Sequence, residues 1–198
     1  MTKGYIQKIF CILFRGVSLV CALVLSILFI PLGWIAIFTD QYANLSIFVS
    51  LIPLSVGEYL RYFYYKFTLT YVGKKVVFKY GTFCQYNDTV IGNRVVFGYY
   101  NAIGLVTIGD DVITGGFVNF LSGTHQHSYN DPDKKICAQD SAGLTRISIG
   151  SDVWIGSNCV IANDVGSRCV IGTGSVVIKK TEEHGLYAGN PAKFLKKI

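Results

Sequence analysis

The chain has 198 residues, of which 51% are hydrophobic, and its mean hydropathy is +0.42. This composition is too apolar for an ordinary soluble domain. The formal net charge of +6 does not indicate a nucleic-acid-binding protein, because the basic residues lie beside the apolar segments and at the C-terminus and form no nucleic-acid-binding motif.

The first apolar segment, from Gly16 to Phe38, contains no charged residue. At about 1.5 Å per residue, a helix over 16–38 would cross a hydrocarbon core of about 30 Å, so we predict a membrane span. A second uncharged stretch at about 41–57 is shorter and contains Pro53. It is compatible with a span, a re-entrant segment or an interfacial helix.

Basic residues flank this pair of apolar segments, and we therefore predict a transmembrane helical hairpin with both ends in the cytoplasm. A cleaved signal peptide is disfavoured by the length of the first segment. The six cysteines form no C-x-x-C pair, which indicates reduced thiols in a cytoplasmic setting. We expect a membrane anchor over residues 1–67, a second domain over 68–198, and membrane lipids as partners.

Between Ile91 and Val177 the chain repeats a six-residue unit that begins with an aliphatic residue and Gly. The clearest copies are Ile149–Trp154, Ile155–Val160 and Ile171–Val176. This period suits a coil with three short faces and about 18 residues per rung, with aliphatic residues stacked inside and Gly, Asn, Asp or Ser at the corners. We predict a mainly β solenoid; a sandwich of short strands is the alternative.

Two spacings depart from the period and predict a local distortion of their rungs. Ile103 and Ile108 are five residues apart, and Ile161 and Ile171 are ten apart. A larger break, at about 122–146, carries none of the period. Long excursions from a rigid solenoid usually carry function.

Two of the three histidines, His125 and His127, lie at the start of this loop. A neutral imidazole is suited to accept a proton from a hydroxyl at cytoplasmic pH. A polar surface loop with incidental histidines is the alternative.

The repeats, with Gly174–Val177 and the tail Ala188–Lys193, resemble the hexapeptide-repeat acyltransferases over roughly residues 70–198. This family, which includes bacterial sugar and polysaccharide O-acetyltransferases, folds as a left-handed parallel β-helix. The resemblance implies acetyl-CoA as the acyl donor, and a homotrimer with active sites between subunits.

The resemblance also implies roles for individual residues. His125 matches the family's general base, with His127 as the reserve base or an acceptor contact. Asn101 matches an asparagine that hydrogen-bonds the acceptor or the tetrahedral intermediate, although a structural corner Asn is equally compatible. Trp154, in the stretch D-x-V-W-I-G, matches a wall of the substrate pocket.

The segment from Ser157 to Gly174 and Ser175 looks like the family's pantetheine groove, and Lys179 and Lys180 would meet the phosphates of coenzyme A. A solvated end of the coil is the alternative for the lysines. The γ-class carbonic anhydrases share this coil and bind zinc through three histidines, but the third histidine here is distant in sequence. We expect no metal.

These observations together predict a membrane-anchored, acetyl-CoA-dependent O-acetyltransferase. Its acceptor would be a hydroxyl of a glycan or lipid-linked sugar in capsule, O-antigen or exopolysaccharide biosynthesis, at the cytoplasmic face of a bacterial inner membrane. One alternative is an N-acetyltransferase that acts on a nucleotide-linked amino sugar. The other is a non-catalytic β-helix scaffold subunit at the membrane.

Overall fold

The computed structural model describes residues 3–124, 126–141 and 143–198. Three helices come first: α1 (Lys3–Phe38), α2 (Tyr42–Ser50) and α3 (Leu54–Thr68). Within these described ranges, α1 is the one helix long and apolar enough to cross a membrane, by length and composition, over Gln7–Phe38.

The second uncharged stretch, predicted as one apolar helix at about 41–57, is divided. Helix α2 has only nine residues and ends at Ser50, and α3 begins at Leu54. The residue before a proline is pushed away from helical geometry, and Pro53 lies at this break. Where the sequence predicted a hairpin of one or two apolar helices, the structure has one long apolar helix followed by two short helices.

The rest of the chain is a parallel β-solenoid of short strands. The first rung contains β1 (Tyr71–Val72), β2 (Val77–Phe78) and β3 (Phe83–Cys84), and the second β4 (Val90–Ile91), β5 (Val96–Phe97) and β6 (Ala102–Ile103). The third contains β7 (Val106–Ile108), β8 (Ile113–Thr114) and β9 (Asn119–Phe120), and the fourth β10 (Ile147–Ile149), β11 (Trp154–Ile155) and β12 (Val160–Ile161). Then follow β13 (Val170–Ile171), β14 (Val176–Val177), β15 (Gly185–Ala188) and β16 (Lys193–Lys197).

The strands form three sheets, one on each face of the coil. The first sheet has the order β1-β4-β7-β10, the second β2-β5-β8-β11-β13-β15-β16, and the third β3-β6-β9-β12-β14. Neighbouring strands are parallel except β15 and β16, which are antiparallel. The aliphatic repeat residues, such as Ile155 and Ile161, point inward and are fully buried, as the period predicts.

The departures from the six-residue period all fall at one edge of the coil, between the third and first sheets, which we call the loop edge. At the other two edges the inward residues keep the spacing, as Ile149, Ile155 and Ile161 do. At the loop edge, Ile161 is followed after four residues by Val165, yet Val165 still pairs with Ile149. The shortened rung therefore still pairs with the rung before it at Ile149 and Val165. The shortening falls in the corner between the third and first sheets.

The other two edges are built from residues with positive φ. One edge carries Lys75, Arg94, Asp111, Asp152, Arg168 and His184, and the other carries Gly81, Tyr100, Phe117, Asn158 and Gly174. The predicted small and polar corner residues are thus accompanied by large ones. Contacts between successive rungs support them: Arg94 donates to Asp111 at 2.5 and 2.6 Å, and the rings of Tyr100 and Phe117 stack at 5.2 Å. The hydrogen bond from Arg94 lowers the pKa of Asp111.

The first rung has no preceding rung to pair with, and α2 and α3 cover its open end. Arg61 donates from Nε to the carbonyl of Phe78 at 2.9 Å. The N–H of Cys84 donates to Ser46 Oγ at 3.1 Å and to Tyr65 Oη at 3.3 Å. Because buried backbone groups need partners, these side chains replace the missing strand.

Candidate functional site

The loop at 121–146 is an insertion at the loop edge between the third and fourth rungs. Strand β10 pairs in register with β7, and β12 pairs with β9, on the two sides of it. The regular strand pairing of the coil therefore continues from the third rung to the fourth, and the loop projects from paired strands.

Both stems of the loop are attached to the coil. The N–H of Thr145 donates to the carbonyl of Ser122 at 2.9 Å, and Ser122 Oγ accepts from the N–H of Leu105 at 2.9 Å. Arg146 donates from Nη1 to the carbonyl of Asp88 at 2.7 Å. These bonds join the stems to each other and to earlier turns of the same edge.

Of the two predicted histidines, His127 is the one that the structure describes, and its side chain is exposed. His125 lies outside the described residues. Gln126, the residue between them, is held by its carbonyl, which accepts from Ser141 Oγ at 3.0 Å. The peptide that joins Gln126 to His127 is thus attached to the returning stem.

Gln139 organises the interior of the loop. Its Oε1 accepts from the N–H of Asp131 at 3.1 Å, and its Nε2 donates to the carbonyls of Asp131 at 3.0 Å and Lys134 at 3.1 Å. The sequence reasoning did not single out Gln139, Ser141 or Arg146. No repeat or motif marks them, because their roles come from contacts across the loop.

Lys179 and Lys180 are exposed and lie on the loop edge, two rungs beyond the loop, which corresponds to about 10 Å at the spacing of neighbouring strands. Beside them is an open groove of about 710 Å³. Its lining comprises Ser148–Gly150, Asp164–Ser167 and Lys180–Glu183. The carboxylates of Asp164, Glu182 and Glu183 share this groove with Lys180. An anion would therefore be attracted to the two lysines and not to the groove as a whole.

The other residues predicted to bind coenzyme A lie on a different edge, between the second and third sheets. Ser157 accepts there from the N–H of Gly116 at 3.2 Å, and Gly174 has a φ of +73° with open space around it. Ser175 is buried and donates to the carbonyl of Gly172 at 2.5 Å. The third sheet separates these residues from Lys179 and Lys180.

Trp154 lies on the outer surface of the second sheet, where it is 58% exposed and pairs with Ile113 and Val170. A large exposed aromatic side chain at this position can contact a ligand or a second coil. Within one subunit, the second sheet is the face opposite the loop edge, so the coil lies between Trp154 and the loop.

Asn101 lies inside the coil and is fully buried. Its Nδ2 donates to Thr114 Oγ1 at 2.5 Å, and its Oδ1 accepts from the N–H of Val118 at 2.8 Å. Both ends of the amide are therefore occupied by bonds to the next rung, which is the structural alternative that the sequence left open.

We expect Asn101→Ala to lower the free energy of unfolding by about 1–3 kcal/mol, because the buried N–H of Val118 loses its acceptor. Thermal unfolding in detergent would measure the change. Asn119→Ala is the matched control, because Asn119 is an exposed asparagine on β9 of the third sheet. A catalytic role for Asn101 would instead give a large fall in kcat with unchanged stability.

The buried cysteines are not suited to nucleophilic chemistry. Cys84, Cys159 and Cys169 lie in the core. Burial raises the pKa of the Cys84 and Cys159 thiols, which keeps them neutral. Among residues 3–124, 126–141 and 143–198, no group of three or more His, Cys, Asp or Glu side chains is arranged to hold a metal ion.

The chain is similar in sequence to named acetyltransferases, although no protein-family model matches it. It is 32% identical over 120 residues to a Schizosaccharomyces pombe protein named as an acetyltransferase, covering 58% of this chain and 56% of that one. It is 49% identical over 51 residues to a Lysinibacillus sphaericus protein named as a macrolide acetyltransferase, covering 25% and 28%. The chain thus spans little more than half of the longer match and less of the other.

The similarity to a solved structure extends further along the chain. A hexapeptide-repeat-containing acetyltransferase of Vibrio cholerae superposes with a TM-score of 0.67 at 25% identity, covering 78% of this chain and 88% of that one. The same Vibrio protein has also been solved with acetyl coenzyme A, with a TM-score of 0.64 and 24% identity. In its six-residue repeat, its parallel solenoid and its sequence matches, the chain resembles the hexapeptide-repeat acetyltransferases.

Proposed function

We propose that this protein is an acetyl-CoA-dependent O-acetyltransferase that modifies a hydroxyl of a glycan or lipid-linked sugar at a membrane surface. The observation that carries the proposal is the position of the histidine loop, which leaves an otherwise regular coil on the same edge as Lys179 and Lys180. One edge thus offers a base for the acceptor hydroxyl and cations for a polyphosphate donor.

In the proposed reaction, His125 takes the hydroxyl proton as the oxygen attacks the thioester carbonyl. The thiolate of coenzyme A leaves, and the acetyl group forms an ester with the acceptor. Ser141 would hold the peptide that joins Gln126 to His127, so the start of the loop would be positioned before the acceptor binds.

The proposal includes a homotrimer with the catalytic loop at a subunit boundary. Gly174 of one coil lies across the third sheet from that coil's own loop, and Trp154 lies on the opposite face of the coil. A neighbouring subunit's second sheet could bring equivalents of these residues to the loop. The membrane is the cytoplasmic face of a bacterial inner membrane, reached through α1.

The direct test supplies acetyl-CoA and membrane glycan or lipid-linked sugar fractions to the full-length protein, and measures release of the coenzyme A thiol. Mild alkali then distinguishes the products, because it cleaves an acetyl ester and leaves an acetamide intact. An alkali-labile product supports O-acetylation. An alkali-stable product would indicate transfer to an amine, and no acetyl-CoA turnover with any fraction would favour the scaffold alternative.

The lysines can be tested separately from the chemistry. We expect Lys179→Ala with Lys180→Ala to raise KM for acetyl-CoA about tenfold, which corresponds to about 1.4 kcal/mol of lost phosphate contacts. With acetyl-pantetheine, which lacks the nucleotide phosphates, KM should not change. Lys196→Ala, on the exposed strand β16, is the matched control. An equal rise in KM with both donors would contradict a phosphate-binding role.

A further inference from the structure

The face that α1 turns toward its neighbours is a single narrow stripe. The buried residues of α1 recur every three or four positions, so they lie along one side of the helix. They are Ser18, Ala22, Ser26, Phe29, Gly33 and Ala36. Most of these side chains are small, which lets α1 approach α3 closely: a Cβ atom added to Gly33 would lie 2.7 Å from Thr68 and 2.8 Å from Tyr64.

The direction of α3 relative to the coil follows from its contacts. Arg61, Tyr62 and Lys66 donate hydrogen bonds to the carbonyls of Phe78, Gly73 and Val72, respectively. All three carbonyls belong to the first rung. A helix that ran along the coil axis would meet a new rung about every 4.8 Å. Helix α3 therefore lies across the end of the coil.

Helix α1 also runs parallel to the plane of the first rung. Leu19 shares a hollow with Glu58 and Tyr62 of α3, and Gly33 packs against Thr68 at the end of α3. Leu19 and Gly33 are about 21 Å apart along the helix axis. Because α1 follows α3 over this length, and α3 lies across the end of the coil, α1 also lies across the coil axis.

This orientation is incompatible with α1 crossing a bilayer. If α1 were parallel to the membrane normal, the end of the coil that packs beside it would lie in the hydrocarbon of the bilayer. The ion pair Glu58–Lys79 and the exposed Lys75 would then lie in hydrocarbon beside the apolar segment. Ionised side chains are costly at that depth.

We propose that α1 lies in the plane of the membrane within one leaflet, with α2 and α3 at the headgroup level and the coil axis along the membrane normal. This inference rests on the membrane association in the proposed function and specifies its geometry. Residues 16–38 of α1 contain no charge, and the side away from α3 is exposed and apolar, with Ile27 77% and Ile35 58% exposed. Acyl chains fit that surface.

The charges around the helices match anionic headgroups. Lys8 and Arg15 precede the apolar segment of α1, and Lys74 and Lys75 are exposed on the first rung at the level of α3. Tyr59 and Tyr62 of α3 are partly exposed, and tyrosines of this kind are usual at a membrane–water interface. The occupant of the apolar face is thus a leaflet that contains anionic lipid, and not a second copy of the chain.

Cysteine labelling tests this arrangement in intact bacterial cells with a membrane-impermeant maleimide. The exposed Cys11, Cys21 and Cys137 are first replaced by Ser. Cys11 is then restored in one variant, and Thr39→Cys is introduced in another. These positions lie near the two ends of α1. We expect neither to react until the cells are permeabilised. Reaction of Thr39→Cys in intact cells would overturn the proposal, because it would place the two ends on opposite sides.

A depth measurement gives an independent readout. Brominated lipids in proteoliposomes quench the fluorescence of a nearby Trp. The depth of residue 34 is measured from Trp34 in a Trp154→Phe variant. The depth of residue 27 is measured from Ile27→Trp in a variant that also carries Trp34→Phe and Trp154→Phe. The two positions are seven residues apart on one face. We expect equal depths, whereas an upright helix would place residue 27 about 10 Å deeper. No quenching, or a covalent dimer through Ile27→Cys, would also overturn the proposal. Absence of acetyl transfer by the unsubstituted protein, with equal depths in the variants, would count against the enzyme function alone.

Discussion

Replacement of His125 by alanine is expected to lower kcat for acetyl transfer by about 10²–10⁴-fold, the usual contribution of a positioned general base. The KM for acetyl-CoA should change little, because the proposed donor contacts lie two rungs away at Lys179 and Lys180. Initial rates of coenzyme A release by the full-length protein would measure both constants. Thermal unfolding should be unchanged, since the loop lies outside the coil.

His127→Ala is the matched control for this variant, since His127 is an exposed imidazole in the same loop two residues away. We expect a modest effect, at most on the KM of the acceptor. If His127→Ala lost most of the activity and His125→Ala kept it, the roles of the two histidines would be exchanged. If neither variant lost activity, the loop would not carry the base.

Replacement of Arg61 by alanine is expected to lower the free energy of unfolding by about 3–5 kcal/mol, and Tm by roughly 10 °C. Arg61 is fully buried and donates to the carbonyls of Phe78, Ser50 and Ile52 at 2.8–3.0 Å. Alanine would leave these carbonyls without their donor and open a cavity between the helices and the first rung. Thermal unfolding in detergent would measure the loss.

Arg94→Ala removes an equally charged side chain from the surface of the coil and is the control for Arg61. Its partner Asp111 is exposed and can be solvated, so a much smaller change in Tm is expected. Arg61→Lys should recover part of the stability, because an ammonium group can reach some of the carbonyls. Equal changes in Tm for Arg61→Ala and Arg94→Ala would contradict the capping role.

The repeat predicted the solenoid because each six-residue unit makes one face, and its inward residue can be read directly from the sequence. Ile155 and Ile161 are buried as that reading requires. The shortened spacings were expected to distort their rungs, but the pairing of Ile149 with Val165 continues through the shortest one. A spacing in sequence does not reveal whether the missing residues come from a face or from a corner.

The candidate site was predictable in part. The loss of period marked the loop, and the loop edge carries it together with Lys179 and Lys180. The direction of single side chains was not predictable, as Asn101 and Ser175 show. Both are polar residues of the kinds found at corners, and both point inward and form hydrogen bonds inside the coil. Only the surrounding rungs determine whether such a residue faces a ligand or the core.

The sequence by itself determined the coil, its loop and the apolar character of α1, because these features depend on short periods and on composition. The tertiary structure alone decided how the two parts meet. The sequence predicted a membrane span from the length of an uncharged segment, and it contained no sign that Arg61 and Tyr65 hold α3 across the end of the first rung or that α1 follows α3. Those contacts join residues from separate elements, and no local pattern encodes the angle at which a helix packs against a coil.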